Sequence, residues 1–289
     1  MGMDRREFIK SCSLLAVAGL LFGCRKNALS GISQALGVPD EKLFEEEVRL
    51  AMAFPRKDVE LVAVPVPKAS DVEPTAENRF GMVVDLAKCN GCGKCILACN
   101  KENNVPLVTA QEAAKGRFMH WIEMRNGTPL MCGHCADAPC EKVCPTGAVS
   151  HTPDGLNTMM YKRCTGSRFC GANCPVQARK FNFNDAKSLG LSRKFNGDVP
   201  LRGKGVMEKC SLCLHRLQED RLRFKTESAV QIPGRKNSTW RGRGVKTACM
   251  EACPKGAITF GNWLDKKSPL MEAVAGRTLY APRGIAPFD

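Results

Sequence analysis

Apolar and polar positions keep three different rhythms along the chain. Asp40 to Phe54 carries apolar side chains at helical spacing and predicts an amphipathic helix. Val62-Ala63-Val64-Pro65-Val66-Pro67 reads as an extended piece punctuated by proline. Together they predict an arm laid on the core or on a partner. From Arg79 the runs become short and β-rich: Met82 to Asp85, Met159 to Tyr161 and Ile258 to Phe260, each beside a group of cysteines. Pro153-Asp154-Gly155 is a turn signal between Ala148-Val149-Ser150 and Met159-Met160. Brief strands around cysteine loops predict an α+β core. Two polar stretches break the pattern: residues 185 to 206, and the 35 residues between Cys213 and Cys249, rich in Arg and Lys. Both read as surface insertions, with partner docking as the alternative.

Composition adds a second source of cohesion. Aromatic residues make up only 6% of the 289 residues while cysteines number 17, so bound metal is expected to supply what a sparse aromatic core does not. The cysteines fall into four groups. The first is Cys89-Asn90-Gly91-Cys92-Gly93-Lys94-Cys95 with Cys99; the second is Cys132, Cys135, Cys140 and Cys144-Pro145. The third is Cys164-Thr165-Gly166-Ser167-Arg168-Phe169-Cys170 with Cys174-Pro175; the fourth is Cys210 and Cys213, then Cys249 and Cys253-Pro254. A C-x₂-C-x₂-C loop wraps three thiolates around one face of an iron–sulfur cube, and a distal cysteine before proline reaches a different cluster. Repeated four-ligand runs with these endings argue against structural zinc.

Ser167 breaks the third group at its second ligand position. Three thiolates and a weakly binding hydroxyl leave a corner iron easily lost, which gives a [3Fe-4S] cluster; a serine-ligated [4Fe-4S] cluster is the other reading. The count agrees with the first. Setting aside Cys12 in the N-terminal apolar run and Cys24 at its end, the remaining 15 cysteines make three fours and a three. Among the four histidines, His134 sits between two ligand positions and is a candidate hydrogen-bond donor to cluster sulfur. His120, His151 and His215 fit surface or hydrogen-bonding roles.

The formal charge of +14 suggests a polyanion partner until the cofactor is counted. Four clusters with their cysteinates carry roughly −2 each and bring the holoprotein to about +6. No zinc-finger, RNA-recognition or helix-turn-helix pattern accompanies the charge, so nucleic-acid binding is excluded. Arg5-Arg6-Glu7-Phe8-Ile9-Lys10 before the apolar run Ser11 to Gly23 reads as a twin-arginine export signal. Its 13 apolar-run residues are fewer than the roughly 20 a membrane span needs. Leu21-Phe22-Gly23-Cys24 resembles a lipobox, with lipidation at Cys24, although Phe22 is bulky for it; ordinary cleavage or retention are the alternatives. The twin-arginine route carries folded, loaded proteins, which reconciles export with thiols that are not disulfides.

At this point the chain resembles a known family, the four-cluster iron–sulfur subunits of the dimethyl sulfoxide reductase type. The resemblance covers about residues 80 to 262 and extends to Asn100 to Pro106, His120-Trp121-Ile122, Arg179-Lys180-Phe181-Asn182-Phe183 and Val206 to Cys210. The serine at 167 in its Arg163-Cys164-Thr165-Gly166-Ser167 context is most similar to the iron–sulfur subunits of alternative complex III and the periplasmic quinone reductase complex. The resemblance implies an α+β fold of two interleaved bacterial-ferredoxin-like domains with cluster-binding loops, short strands and short helices. The expected organisation is a signal at 1–23, an arm at 24–78, one domain at 79–130 plus 205–262, and another at 131–184. A surface insertion at 185–204 and a tail at 263–289 complete it.

By ligand position it implies three [4Fe-4S] clusters and one [3Fe-4S] cluster. The four-thiolate sets are Cys89, Cys92, Cys95 with Cys253; Cys210, Cys213, Cys249 with Cys99; and Cys132, Cys135, Cys140 with Cys174. The open set is Cys164, Cys170 and Cys144, with Ser167 in place of the fourth cysteine. It also implies partners: a polytopic quinone-binding membrane subunit, and a multihaem cytochrome c or molybdopterin-type subunit. Membrane contact would come through a partner or a lipid anchor, on the periplasmic or extracytoplasmic face. The expected role is electron relay between quinone and the second redox subunit, with no substrate turned over by the chain itself. An electron-transfer subunit of a molybdenum reductase for a sulfur, nitrogen or arsenic compound is the rival expectation.

Overall fold

A computed structural model describes residues 40–66, 77–186, 189, 194–229 and 239–285. The export signal at 1–23, Cys12 and the lipidation expected at Cys24 lie outside the described residues.

Helix α1 (Asp40–Ala53) and strand β1 (Leu61–Val64) lead into β2 (Phe80–Val84), α2 (Lys94–Glu102), α3 (Ala110–Ala114) and the hairpin β3 (Glu123–Arg125) and β4 (Thr128–Leu130). Next come α4 (Pro139–Lys142), β5 (Val149–His151), β6 (Asn157–Met159), α5 (Phe169–Ala172), β7 (Lys180–Phe181) and β8 (Met207–Glu208). The chain closes through α6 (Leu214–Ala229), α7 (Ala248–Glu251), β9 (Ile258–Asn262), α8 (Pro269–Val274) and β10 (Leu279–Pro282).

Among the described residues the strands form five two-stranded antiparallel sheets: β1 with β10, β2 with β9, β3 with β4, β5 with β6 and β7 with β8. β2 and β9 run from Phe80 opposite Asn262 to Val84 opposite Ile258, which closes the chain across most of its length. Helix α2, from the first cysteine group, packs on α7 from the fourth; α4, from the second, packs on α5 from the third. The sequence of groups is therefore nested, outer with outer and inner with inner. The larger core gathers Phe80, Ile96, Trp121, Ile122, Phe260 and Trp240 beside Cys95, Cys99, Cys210 and Cys249. Phe80 stacks on Phe260 at 5.7 Å and meets Trp240 at 5.4 Å. A smaller core holds Cys140, Cys170, Val149 and Met207.

The helix read at Asp40 to Phe54 is α1, which lies on α2 and buries Phe44, Val48 and Leu50. Pro153 to Gly155 turns between β5 and β6, and Gly155 takes a left-handed φ of 74°. The segment between Cys213 and Cys249 is more than a surface insertion. It carries the 16-residue helix α6, with Leu217 buried, and the Trp240 indole donates to Asp220 at 2.7 Å.

Polar residues, too, are drawn inside. Arg202 is buried and donates to the fully buried Glu208 carboxylate at 2.8 and 3.0 Å. The Trp121 indole donates to the same carboxylate at 3.2 Å, and the Arg202 guanidinium also donates to the carbonyls of Asn103, Asn104 and Pro200. Asn104 in turn donates to the carbonyls of Val199 and Asn196. Segments far apart in sequence are thereby tied to β8, one residue before the lysine that precedes Cys210. Among the described residues no helix is long and apolar enough to cross a membrane.

Candidate metal centre

The described cysteines are all free thiols, and the backbone around them repeats. The residue just before the second ligand position is left-handed in all four groups: Gly91 (φ 68°), His134 (47°), Gly166 (74°) and Leu212 (53°). For His134 and Leu212 this conformation costs about 1–2 kcal/mol each, strain of a kind that gathers at functional sites. Such turns aim successive N–H groups into a concavity that suits an anion. Ser167 follows Gly166 as Cys92 follows Gly91, so the serine keeps the loop position of a ligand. Only glycine fits at 166, because a Cβ there would stand 2.2 Å from the Gly205 carbonyl oxygen.

The three Cys-Pro endings share a second motif. The sulfurs of Cys144, Cys174 and Cys253 accept the N–H four residues on, from Ala148 at 3.3 Å, Ala178 at 3.4 Å and Ala257 at 3.3 Å. The residue before each alanine is again left-handed: Gly147, Gln177 and Gly256. Burial works to raise the Cys253 thiol, but the N–H groups of Ala257 and its neighbours outweigh it and leave the thiol below its ordinary value. At Cys144 burial is likewise outweighed, by Thr146, Ala148 and Val149.

Elsewhere burial dominates and thiols crowd one another. Cys95 is pushed up to about 12 by burial, and Cys249, Cys92 and Cys89 add to the rise. Burial also lifts Cys99, with Cys210, Cys249 and Cys213 as its nearest like-charged neighbours. Cys135 goes to about 12 through burial, then Cys132, Cys140 and Cys174. Burial raises Cys170 against the nearby Arg179 cation, and Cys164 and Cys144 add to it. A small cavity is lined by Cys144, Cys164, Ser167 and Cys170 together. Cys253 packs at the edge of the core that holds Cys95, and its own interactions are with its turn. Thiols that oppose one another's ionisation in this way are a donor set for soft metal, whose positive charge reverses that opposition. Among the described residues no three His, Cys, Asp or Glu side chains converge as the ligands of a single metal ion do.

Polar groups surround the second set. The Arg179 guanidinium donates to the Cys140 sulfur at 2.9 Å, to the Asn157 side-chain oxygen at 2.8 Å and to the Met159 sulfur at 3.0 Å. Asn157 and Met159 face it together because they are two apart on β6. The His134 ring accepts the Asn157 N–H at 3.1 Å, and burial followed by the Lys209 and Arg79 cations holds it neutral. Two buried donors, Asn157 Nδ2 and His134 Nε2, have no hydrogen-bond partner among the described residues. Cluster sulfurs would supply acceptors for them, so the residues present fit such a group. Asn157 carried no signal in the sequence, since its role depends on the hairpin that presents it. The other histidines hold structure: His151 contacts Glu141, His215 meets Glu102 at 2.7 Å, and His120 pairs with Asn100 at 2.7 Å.

Crowded thiols in N–H-lined loops define a polythiolate metal–sulfur protein. No family model matches the chain. It is similar to the iron–sulfur cluster-binding subunit of menaquinone reductase from Nitratidesulfovibrio vulgaris, 37% identical over 64% of this chain and 76% of that one. Similarity to the Hdr-like menaquinol oxidoreductase iron–sulfur subunit 1 of Archaeoglobus fulgidus is 33% over 70% and 77%. For the arsenate respiratory reductase iron–sulfur subunit of Shewanella sp. it is 30% over 72% and 91%. The chain belongs to this family of iron–sulfur subunits of multisubunit oxidoreductase complexes, and its function is electron transfer.

Proposed function

We propose that the chain is a four-cluster wire linking a quinone site in a membrane subunit to a haem or molybdopterin-type subunit. Its fold would be two interleaved ferredoxin-like domains, exported by the twin-arginine route to the periplasmic face. The carrying observation is the order of neighbouring thiols. Cys89 and Cys92 neighbour Cys95, which meets Cys249 and Cys99; Cys210 meets Cys132; Cys132 meets Cys140; and Arg179 joins Cys140 to Cys170. That order supports the sets Cys89, Cys92, Cys95; then Cys99, Cys210, Cys213, Cys249; then Cys132, Cys135, Cys140, Cys174; then Cys144, Cys164, Cys170, with Cys253 completing the first set by its family position and its place at the edge of the core that holds Cys95. When bound, the clusters supply one-electron transfer along this line.

The chain's own residues hold, insulate and expose the line. Cys99, Cys210 and Cys249 are buried in the interior, whereas Cys92 and Ser167 at the two ends are exposed. Around Ser167, Phe169 is 58% and Met160 37% exposed, with Lys162, Arg163 and Arg168 exposed beside them. An apolar patch rimmed by cations suits a docked partner. The relatives linked to menaquinone and menaquinol support quinone as the reactant on one side. The arsenate-reductase relative favours a second reading, a subunit of a molybdenum reductase; identifying the co-purifying subunits separates the two.

Electron paramagnetic resonance of the oxidised, intact complex tests the assignment. Wild type should give the near-isotropic signal of a [3Fe-4S] cluster, and Ser167→Cys should suppress it in favour of a further [4Fe-4S] centre. Intact oxidised wild type without that signal refutes the three-iron assignment.

A further inference from the structure

Arg179 and Lys209 are buried cations whose partners include no carboxylate among the described residues. Arg179 binds sulfur and amide oxygen only. The Lys209 ammonium donates to the Asn157 carbonyl and, at 3.0 Å, to the Cys210 carbonyl, and the residue is 2% exposed. Contrast Arg202, equally buried, which has the Glu208 carboxylate. A buried charge without a counter-ion is costly, so these two cations call for an anion that the side chains do not supply. Asn157 ties them together, since its side-chain oxygen takes Arg179 and its backbone oxygen takes Lys209. Both cations act on the Cys140 thiol, and Arg179 also acts on Cys132 and Cys170.

We propose that Arg179 and Lys209 set the potential of the interior cluster held by Cys132, Cys135, Cys140 and Cys174, making it the place on the line where an electron preferentially rests. The inference rests on the ligand sets proposed above. Reduction adds one electron and no proton; the fixed guanidinium and ammonium take up the added charge electrostatically. A hydrogen bond from a cation to a ligand sulfur stabilises the more negative, reduced state, which raises the potential. Lys209 adds charge without touching sulfur, so its effect is smaller and in the same direction.

The test is a redox titration of the intact complex followed by paramagnetic resonance, in wild type, Arg179→Gln, Arg179→Lys, Lys209→Met and Cys140→Ser. At the wild-type midpoint of one [4Fe-4S] signal, Arg179→Gln should lower the reduced-to-oxidised ratio about tenfold or more, the scale of a unit charge nearby at an effective dielectric near 20. Arg179→Lys should restore most of it, Lys209→Met should move the same signal less, the three-iron signal should fall by a smaller factor because Arg179 also acts on Cys170, and the signals of the other two clusters should stay. Cys140→Ser should alter that same signal. If Cys140→Ser alters a signal whose midpoint Arg179→Gln leaves alone, the proposal fails and the ligand sets stand. If Cys140→Ser alters no signal, the ligand sets fail. Should Arg179→Gln load poorly, nitrogen hyperfine coupling from guanidinium-labelled arginine decides in wild type: coupling on that signal, lost in Arg179→Lys, supports the proposal, and its absence overturns it.

Discussion

Glu208→Gln keeps the shape of a fully buried side chain while removing its charge and turning one acceptor oxygen into an NH₂ donor, which tests what the carboxylate does. In the native protein that carboxylate takes two bonds from Arg202, at 2.8 and 3.0 Å, one from Trp121 at 3.2 Å and a longer one from Asn182 at 3.5 Å. Breaking a buried ion pair by neutralising one partner costs about 3–5 kcal/mol. Arg202 keeps its carbonyl acceptors at Asn103, Asn104 and Pro200, so the lower end applies, about 3 kcal/mol. For a domain of this size that is a fall in melting temperature of roughly 6–12 °C. The assay is heat bleaching of the visible iron–sulfur absorbance in the intact complex. Arg202→Met should be similarly damaging, and the double variant should recover part of the loss, because no buried charge is left alone. A Glu208→Gln protein that bleaches within about 2 °C of wild type would refute the reasoning.

Burial pushes the Glu47 carboxyl up to about 8 against the single N–H of Val108, so the protonated form favours the fold. Its stabilisation is full below the ordinary carboxyl value of 4.5 and is lost as pH rises to about 8, and Glu47→Gln should flatten the unfolding profile across that interval by up to about 1.4 kcal/mol per unit. Gly166→Ala drives a Cβ into the Gly205 carbonyl and should abolish the three-iron signal while the [4Fe-4S] signals persist, as judged by spin counting. Ala257→Pro removes the N–H that reaches the Cys253 sulfur and should lower the loading of the cluster nearest Cys89 more than any other.

Local features were the legible ones. The apolar spacing of Asp40 to Phe54 needed only its own residues to predict α1, and Pro153-Asp154-Gly155 needed only a turn. The cysteine groups declared soft-metal chemistry because the spacing itself is the chemistry. What the sequence hid was long-range polar pairing: nothing near Arg202 indicates that Glu208, Trp121 and Asn103 will surround it. Likewise Leu214, Leu217 and Phe224 are too few among charges for the segment after Cys213 to read as a packed helix, yet they lie against the larger core. Asn157 was silent because its value lies in what β5 and β6 bring to it.

The nested pairing of the cysteine groups has a consequence for the order in which the protein matures. Thiols from Cys132 to Cys174 come off the ribosome as one contiguous stretch, with α4 and α5 free to pack as soon as both exist. Cys99 must wait for Cys210, Cys213 and Cys249, and β2 for a partner strand that begins at Ile258. The thiols of the first group, Cys89 to Cys99, are therefore among the last to be enclosed. During that interval they are exposed to oxidants and to competing metals, so scarce iron or a stalled ribosome should harm the outer pair of sites first.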